Sequence, residues 1–128
     1  MKDLRFYKCD VCGNFIEMIH DAGINPFCCK QPMTEIVANT KEDVALEKHL
    51  PVLTKDGAVR ILTVGSTIHP MTEAHYIPFI ILVTNKAVHR ADLTPKDKPV
   101  ARFVLDQDEV EVAAYEYCNL HGLWKVSF

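Results

Sequence analysis

Five cysteines and six histidines hold most of the chemistry available to this 128-residue sequence. Cys9 and Cys12 form a C-x-x-C knuckle in "CDVCGN" (9–14), and Cys28 and Cys29 stand side by side in "CCKQPM" (28–33). Gly13 can relax the tight turn that a knuckle makes beneath a metal. Neighbouring side chains of an extended strand point to opposite faces. Cys28 and Cys29 can therefore share one ion only from a bent backbone, with some distortion of the tetrahedron expected. Four thiolates suit a tetrahedral zinc or a single iron, and the spacing does not choose between them.

The fifth thiol, Cys118, lies far from the others in "CNLHG" (118–122), three residues before His121. His49 falls in "EKHLPV" (47–52), and His69 and His75 bracket "HPMTEAH" (69–75). A lone cysteine is usually a small buried apolar group, and a single histidine is more often structural or solvated than a ligand. As a set they offer four imidazoles and one thiolate. Pro51, Pro70 and Gly122 put them at turns or strand ends, where loops from a rigid scaffold can converge. Imidazole suits iron, copper, nickel or zinc, and a thiolate adds a soft, electron-donating ligand. Five protein donors leave one open position on an octahedral ion. His20 and His89 stand outside both groups, and solvated roles are expected for them. No H-E-x-x-H, G-x-S-x-G or phosphate-cradling glycine loop occurs.

The segments that must position these residues read as two pieces. Residues 1–37 are too few to bury much of a core and need a staple such as a metal. From residue 38 to 128 the texture is short β-rich runs broken by turns. "VLTKDGAVRILTVG" (52–65) reads as a hairpin around Lys55, Asp56 and Gly57, and "HYIPFIILVTN" (75–85) as a buried strand. Further strands are expected in "VARFVLD" (100–106), "EVEVAAYEYC" (109–118) and "LWKVSF" (123–128), the last with Trp124, Val126 and Phe128 on one face. No sustained helical periodicity appears. The fold class is mainly β, with a small metal module followed by a β-sandwich.

A net charge of −3 argues against a general nucleic-acid binder. The longest apolar stretch, "IPFIILV" (77–83), is too short to span a bilayer. "MKDLRFYK" has no apolar signal region, so a cytoplasmic location is expected, where clustered cysteines favour metal over disulfides.

Taken in order, "CDVCGN", the paired cysteines, "EKHLPV", "HPMTEAH" and "CNLHG" resemble desulfoferrodoxin, the two-iron form of superoxide reductase. The resemblance implies a desulforedoxin-like or rubredoxin-like module at 1–37, with iron on Cys9, Cys12, Cys28 and Cys29. It implies an immunoglobulin-like sandwich at 38–128, with a catalytic non-haem iron on His49, His69, His75, Cys118 and His121. The reaction implied is one-electron reduction of superoxide to hydrogen peroxide, with a rubredoxin-type donor restoring the iron, in a homodimer. Lys48 would draw superoxide to the open position, and Glu47 would occupy that position in the resting ferric state. Lys30 departs from the pattern, since many relatives have glycine after the paired cysteines. Two other readings fit the residues alone. One is a two-site electron carrier without a substrate. The other is a zinc ribbon joined to a β-sandwich binding module.

Overall fold

The computed structural model describes residues 3–41, 49–65 and 69–128, and every regular element among them is a strand. The chain forms two compact units, Met1–Val37 and Ala38–Phe128. In the first, β1 (Phe6–Lys8), β2 (Phe15–Glu17) and β5 (Thr34–Ile36) make an antiparallel sheet in the order β2-β1-β5. β3 (Phe27–Cys28) and β4 (Gln31–Pro32) make a separate hairpin. Among the described residues one apolar cluster here consists of Tyr7, Cys9 and Met33, with Met18 and Cys28 against it, and Phe6 is buried against Phe15. Cys9 and Cys28 of that cluster are candidate metal ligands.

The second unit has two antiparallel sheets. One contains β6 (Pro51–Asp56), β7 (Val59–Val64) and β10 (Val100–Val104), in the order β10-β7-β6. The other contains β8 (Phe79–Thr84), β9 (Val88–Asp92), β11 (Glu111–Cys118) and β12 (Gly122–Ser127), in the order β12-β11-β8-β9. Leu62, Val64, Ile77, Ile80, Leu82, Ala101, Phe103, Leu105, Ala114 and Cys118 fill one core drawn from both sheets. Burying a side chain the size of isoleucine is worth about 2–3 kcal/mol, so this core is a main source of the unit's apolar stabilisation. β8 breaks the polar–apolar alternation: Ile80 through Thr84 are all buried, as suits a strand with neighbours on both sides.

The expected hairpin is β6–β7, closed at Gly57, whose φ of 60° is one a side chain adopts only with strain. Pro51 is the first residue of an edge strand, where its missing N–H breaks no ladder. Strand β9 differs from expectation. "VHRAD" pairs with β8 along its length, so His89 belongs to a sheet and not to a solvated stretch. His89 Nε2 donates to Glu109 Oε2 at 2.8 Å, with its side chain only 23% exposed. An alternating, half-exposed edge strand has too few apolar positions to declare itself. His20, by contrast, is exposed.

Register explains how distant residues meet. Pro51 opposes Val64, Tyr117 opposes Phe79, and Cys118 opposes Gly122. The start of β6, the end of β7, the start of β8, the end of β11 and the start of β12 therefore lie at one end of the sandwich. Each residue of the histidine and cysteine set sits at one of those five termini or in the loop beside it.

Candidate metal centres

In the first unit the thiols of Cys9, Cys12, Cys28 and Cys29 converge, with all four Sγ atoms within 4.8 Å of one another. Cys12 Sγ lies 3.6 Å from Cys28 Sγ, and Cys28 Sγ lies 3.9 Å from Cys29 Sγ. A tetrahedral ion with sulfur at about 2.3 Å sets its sulfurs about 3.8 Å apart. The donor set fits a metal, and the distortion along these two edges is small. The bent backbone demanded by adjacent ligands is present: φ is 54° at Cys29 and 64° at Lys30, two consecutive side-chain-bearing residues in the left-handed region. Gly13, at φ 82°, takes the turn beneath the knuckle, where its N–H donates to the Cys9 carbonyl at 2.9 Å.

Four thiols this close cannot all ionise without a counter-charge. The Cys9 thiol is drawn down to about 6, chiefly by the backbone N–H of Cys12. That of Cys29 is pushed up to about 12, with the hydrogen bond to Cys12 the largest cause. A cation among them is what allows all four to become thiolates. Asn14, absent from the expected set, aims its Nδ2 at Cys28 Sγ from 3.7 Å.

The second unit brings together His49, His69, His75, Cys118 and His121, again with one donor atom each and all within 4.8 Å. The four imidazoles form a closed circuit. Ring centroids are 4.9 Å apart for His49–His69, 4.6 Å for His69–His75, 5.0 Å for His75–His121 and 4.8 Å for His121–His49. Each ring stands edge-on to both neighbours, at interplanar angles from 66° to 82°. His49 Nε2 and His121 Nδ1 are 3.1 Å apart. Two imidazole nitrogens at right angles around an ion, each about 2.1 Å from it, would be about 3.0 Å apart. Donor types and spacing both fit one metal.

The surroundings set which nitrogen faces inward. His69 Nδ1 lies 2.7 Å from the Pro70 carbonyl. A carbonyl can only accept, so Nδ1 carries the proton and Nε2 keeps its lone pair for the centre. His121 turns its Nδ1 inward, 3.8 Å from Cys118 Sγ. Trp124 stacks on His49 at 4.7 Å and 12°, and its Nε1 donates to the His121 carbonyl at 3.2 Å. Cys118, His49 and His69 are essentially inaccessible, His75 is half-buried and His121 is exposed. The thiol is fully buried, and His121 is the exposed member of the set.

The structure brings together all nine residues expected as ligands, in their two expected groups. Glu47 and Lys48 lie outside the described residues. Sequence patterning marks Trp124 only as a strand-face residue, and it does not single out Asn119 at all. The one signal for Asn119 is its place between Cys118 and His121, a turn position that asparagine favours.

Comparison with known proteins agrees with this geometry. Residues 41–127 match the family described as Desulfoferrodoxin, and residues 2–36 match Desulfoferrodoxin, N-terminal domain. A desulfoferrodoxin of Syntrophotalea carbinolica is 46% identical over 94% of both chains. One from Nitratidesulfovibrio vulgaris is 44% identical over 93% of this chain and 92% of the other. Among solved structures, the superoxide reductase from Treponema pallidum superposes with a TM-score of 0.80 at 32% identity, covering 98% of each chain. With both domains matched in order and such identity over nearly its full length, the chain belongs to the desulfoferrodoxin family.

Proposed function

We propose that the protein is a superoxide reductase, with its chemistry at the five-donor centre of the second unit. Superoxide gains one electron and two protons there and leaves as hydrogen peroxide. The convergence of four imidazoles and one buried thiol at one end of a rigid sandwich carries this reading. The superoxide reductase of Treponema pallidum, similar over the whole chain, supports it.

His49, His69, His75 and His121 would hold an iron with Cys118. Bound there, iron supplies the electron and a Lewis-acidic position for a small anion. The side chains set the terms. Four neutral imidazoles against a single thiolate would leave a ferrous centre net positive, which would favour an anionic substrate. Cys118, fully buried, would contribute electron density to the iron and stay out of reach of oxidants in solution. The proton on His69 Nδ1 is committed to the Pro70 carbonyl and is not available for transfer. Lys48, as a cation beside the cluster in sequence, is proposed to draw superoxide in. Glu47 is proposed to compete for the open position when substrate is absent.

Cys9, Cys12, Cys28 and Cys29 would hold a second iron, or zinc, in the first unit. A rubredoxin-type protein is the proposed reductant, and the protein is proposed to act as a homodimer in the cytoplasm. No helix among the described residues is long and apolar enough to cross a membrane.

The test is Cys118→Ser, measured on fully reduced protein mixed with pulse-generated superoxide. A hard, weak donor replaces a soft anionic one. The sulfur-to-iron charge-transfer band should vanish, and peroxide formation should slow at least about tenfold, the least that losing even an outer partner of a metal ligand commonly costs. The spectrum of the four-cysteine centre should persist. A variant that keeps both the band and the wild-type reaction would sink the assignment. Wild-type protein with iron in both centres and no inner-sphere reaction with superoxide would point instead to an electron carrier.

A further inference from the structure

We propose that Asn119 is a positioning residue for the five-donor centre: its carboxamide clamps the loop carrying His75 onto the turn carrying Cys118 and His121. The proposal rests on reading that cluster as a metal centre.

Three bonds make the clamp. Asn119 Oδ1 accepts the backbone N–H of Tyr76 at 2.9 Å. Asn119 Nδ2 donates to the backbone carbonyl of Ala74 at 3.1 Å. The backbone N–H of Asn119 donates to the Tyr76 carbonyl at 3.2 Å. The orientation of the carboxamide is fixed by its partners, since an N–H can only donate and a carbonyl can only accept. Ala74 and Tyr76 are the two neighbours of His75, so the grip closes on the backbone on both sides of that ligand. At the other end, Asn119 is bonded to Cys118 and lies two residues before His121.

Other bonds of the His75 loop shape it from within. Thr72 N donates to the His75 carbonyl at 2.8 Å, and His75 N donates to Thr72 Oγ1 at 3.1 Å. Ile77 N donates to Met71 Sδ at 3.4 Å. These set the curl of the loop, whereas the bonds of Asn119 set its distance from the β11–β12 turn. That distance matters to the ion: ligand spheres tolerate errors of a few tenths of an ångström, and His75 and Cys118 come from different loops. No apolar or isosteric residue reproduces one acceptor and one donor at this span. Aspartate keeps the acceptor and loses the donor.

The experiment compares wild type, Asn119→Ala and Asn119→Asp, each loaded with iron. Iron release from the five-donor centre to an excess of chelator is followed through its thiolate-to-iron band, with the four-cysteine centre as an internal reference. Loss of an outer partner of a metal ligand commonly costs 10–100-fold in affinity. Asn119→Ala should therefore release iron at least about tenfold faster and shift the band. Asn119→Asp should fall between, and release from the four-cysteine centre should stay at the wild-type rate. A purely structural role would lower the thermal midpoint and leave band and release unchanged, and that result would overturn the proposal. If Asn119→Ala does not fold, Asn119→Asp decides: faster release supports the clamp and unchanged release refutes it. The superoxide reading fails separately, if the loaded wild-type centre does not reduce superoxide while the variants still lose iron faster.

Discussion

Lys30 occupies a backbone conformation that suits glycine better than lysine, and the cost can be measured. Its φ of 64° follows one of 54° at Cys29, so two consecutive residues with Cβ atoms sit in the left-handed region. Cys29 cannot be relieved, because its thiol is needed. Lys30 can. A left-handed residue with a Cβ costs about 1–2 kcal/mol. Glycine avoids that cost but gives the unfolded chain back about 0.4–1 kcal/mol of entropy. The balance favours glycine by about 0.8 kcal/mol, about fourfold in an equilibrium constant. The informative comparison is Lys30→Gly against Lys30→Ala. Both remove the ammonium, so its effect on the nearby thiolates cancels, and only the backbone term separates them. The assay is chelator competition for the four-cysteine centre, read from its visible absorption. Lys30→Gly should hold its metal about fourfold more tightly than Lys30→Ala. Equal affinities, or weaker binding by Lys30→Gly, would show that the turn at 28–30 is unstrained in the loaded protein and refute the reasoning.

Glu109 is held at about 2, first by the hydrogen bond from His89 and then by Thr84. Its folded value lies below its ordinary 4.5, so the stabilisation is complete above about pH 4.5 and is lost as pH falls towards 2. Glu109→Gln should destabilise the protein near neutrality and flatten the acid limb of stability against pH. Chemical unfolding at pH 7 and pH 3 would read both, and an unchanged acid limb would count against the assignment. Trp124→Phe keeps a ring against His49 but deletes the Nε1 donor to the His121 carbonyl. It should cost about 1 kcal/mol in unfolding free energy, with the five-donor spectrum shifted. Trp124→Ala should cost about 3–5 kcal/mol, and denaturant midpoints of the two variants would separate stacking from hydrogen bonding.

Both converging donor groups are legible in the residue types alone because metal chemistry constrains those types so strongly. Few side chains offer soft or imidazole donors, and Pro51, Pro70 and Gly122 mark where loops can converge. The β6–β7 hairpin is legible for a similar reason, since Gly57 sits where the turn needs a positive φ. Asn119 is not legible. Among the described residues its side chain bonds to backbone atoms of Ala74 and Tyr76, and backbone partners leave no trace in residue types. Strand β9 escapes a sequence reading because half its residues face solvent and its pairing with β8 is a long-range fact. The bend at Cys28 and Cys29 follows from their adjacency, but its extension into Lys30 does not. The adjacency of two ligands is visible in one dimension, and the backbone path that reconciles them is not.

The two centres also differ in what holds their donors apart. In the first unit the ligands come from two tight turns, and the apolar cluster beside them consists partly of the ligands themselves. Beside the β2-β1-β5 sheet and the β3–β4 hairpin, a bound ion would therefore help to organise that unit. In the second unit the donors hang from termini of β6, β7, β8, β11 and β12, whose relative positions are set by ladders and by a core reaching well beyond the site. There the scaffold imposes the spacing that a bound ion would meet. For the proposed reduction of a small anion the second construction is the favourable one, because preorganised donors need not rearrange when an electron is transferred. Cys118 joins both parts of that design: its Sγ belongs to the donor group, while its fully buried side chain belongs to the same sandwich-core cluster as Ala114 and Ile77.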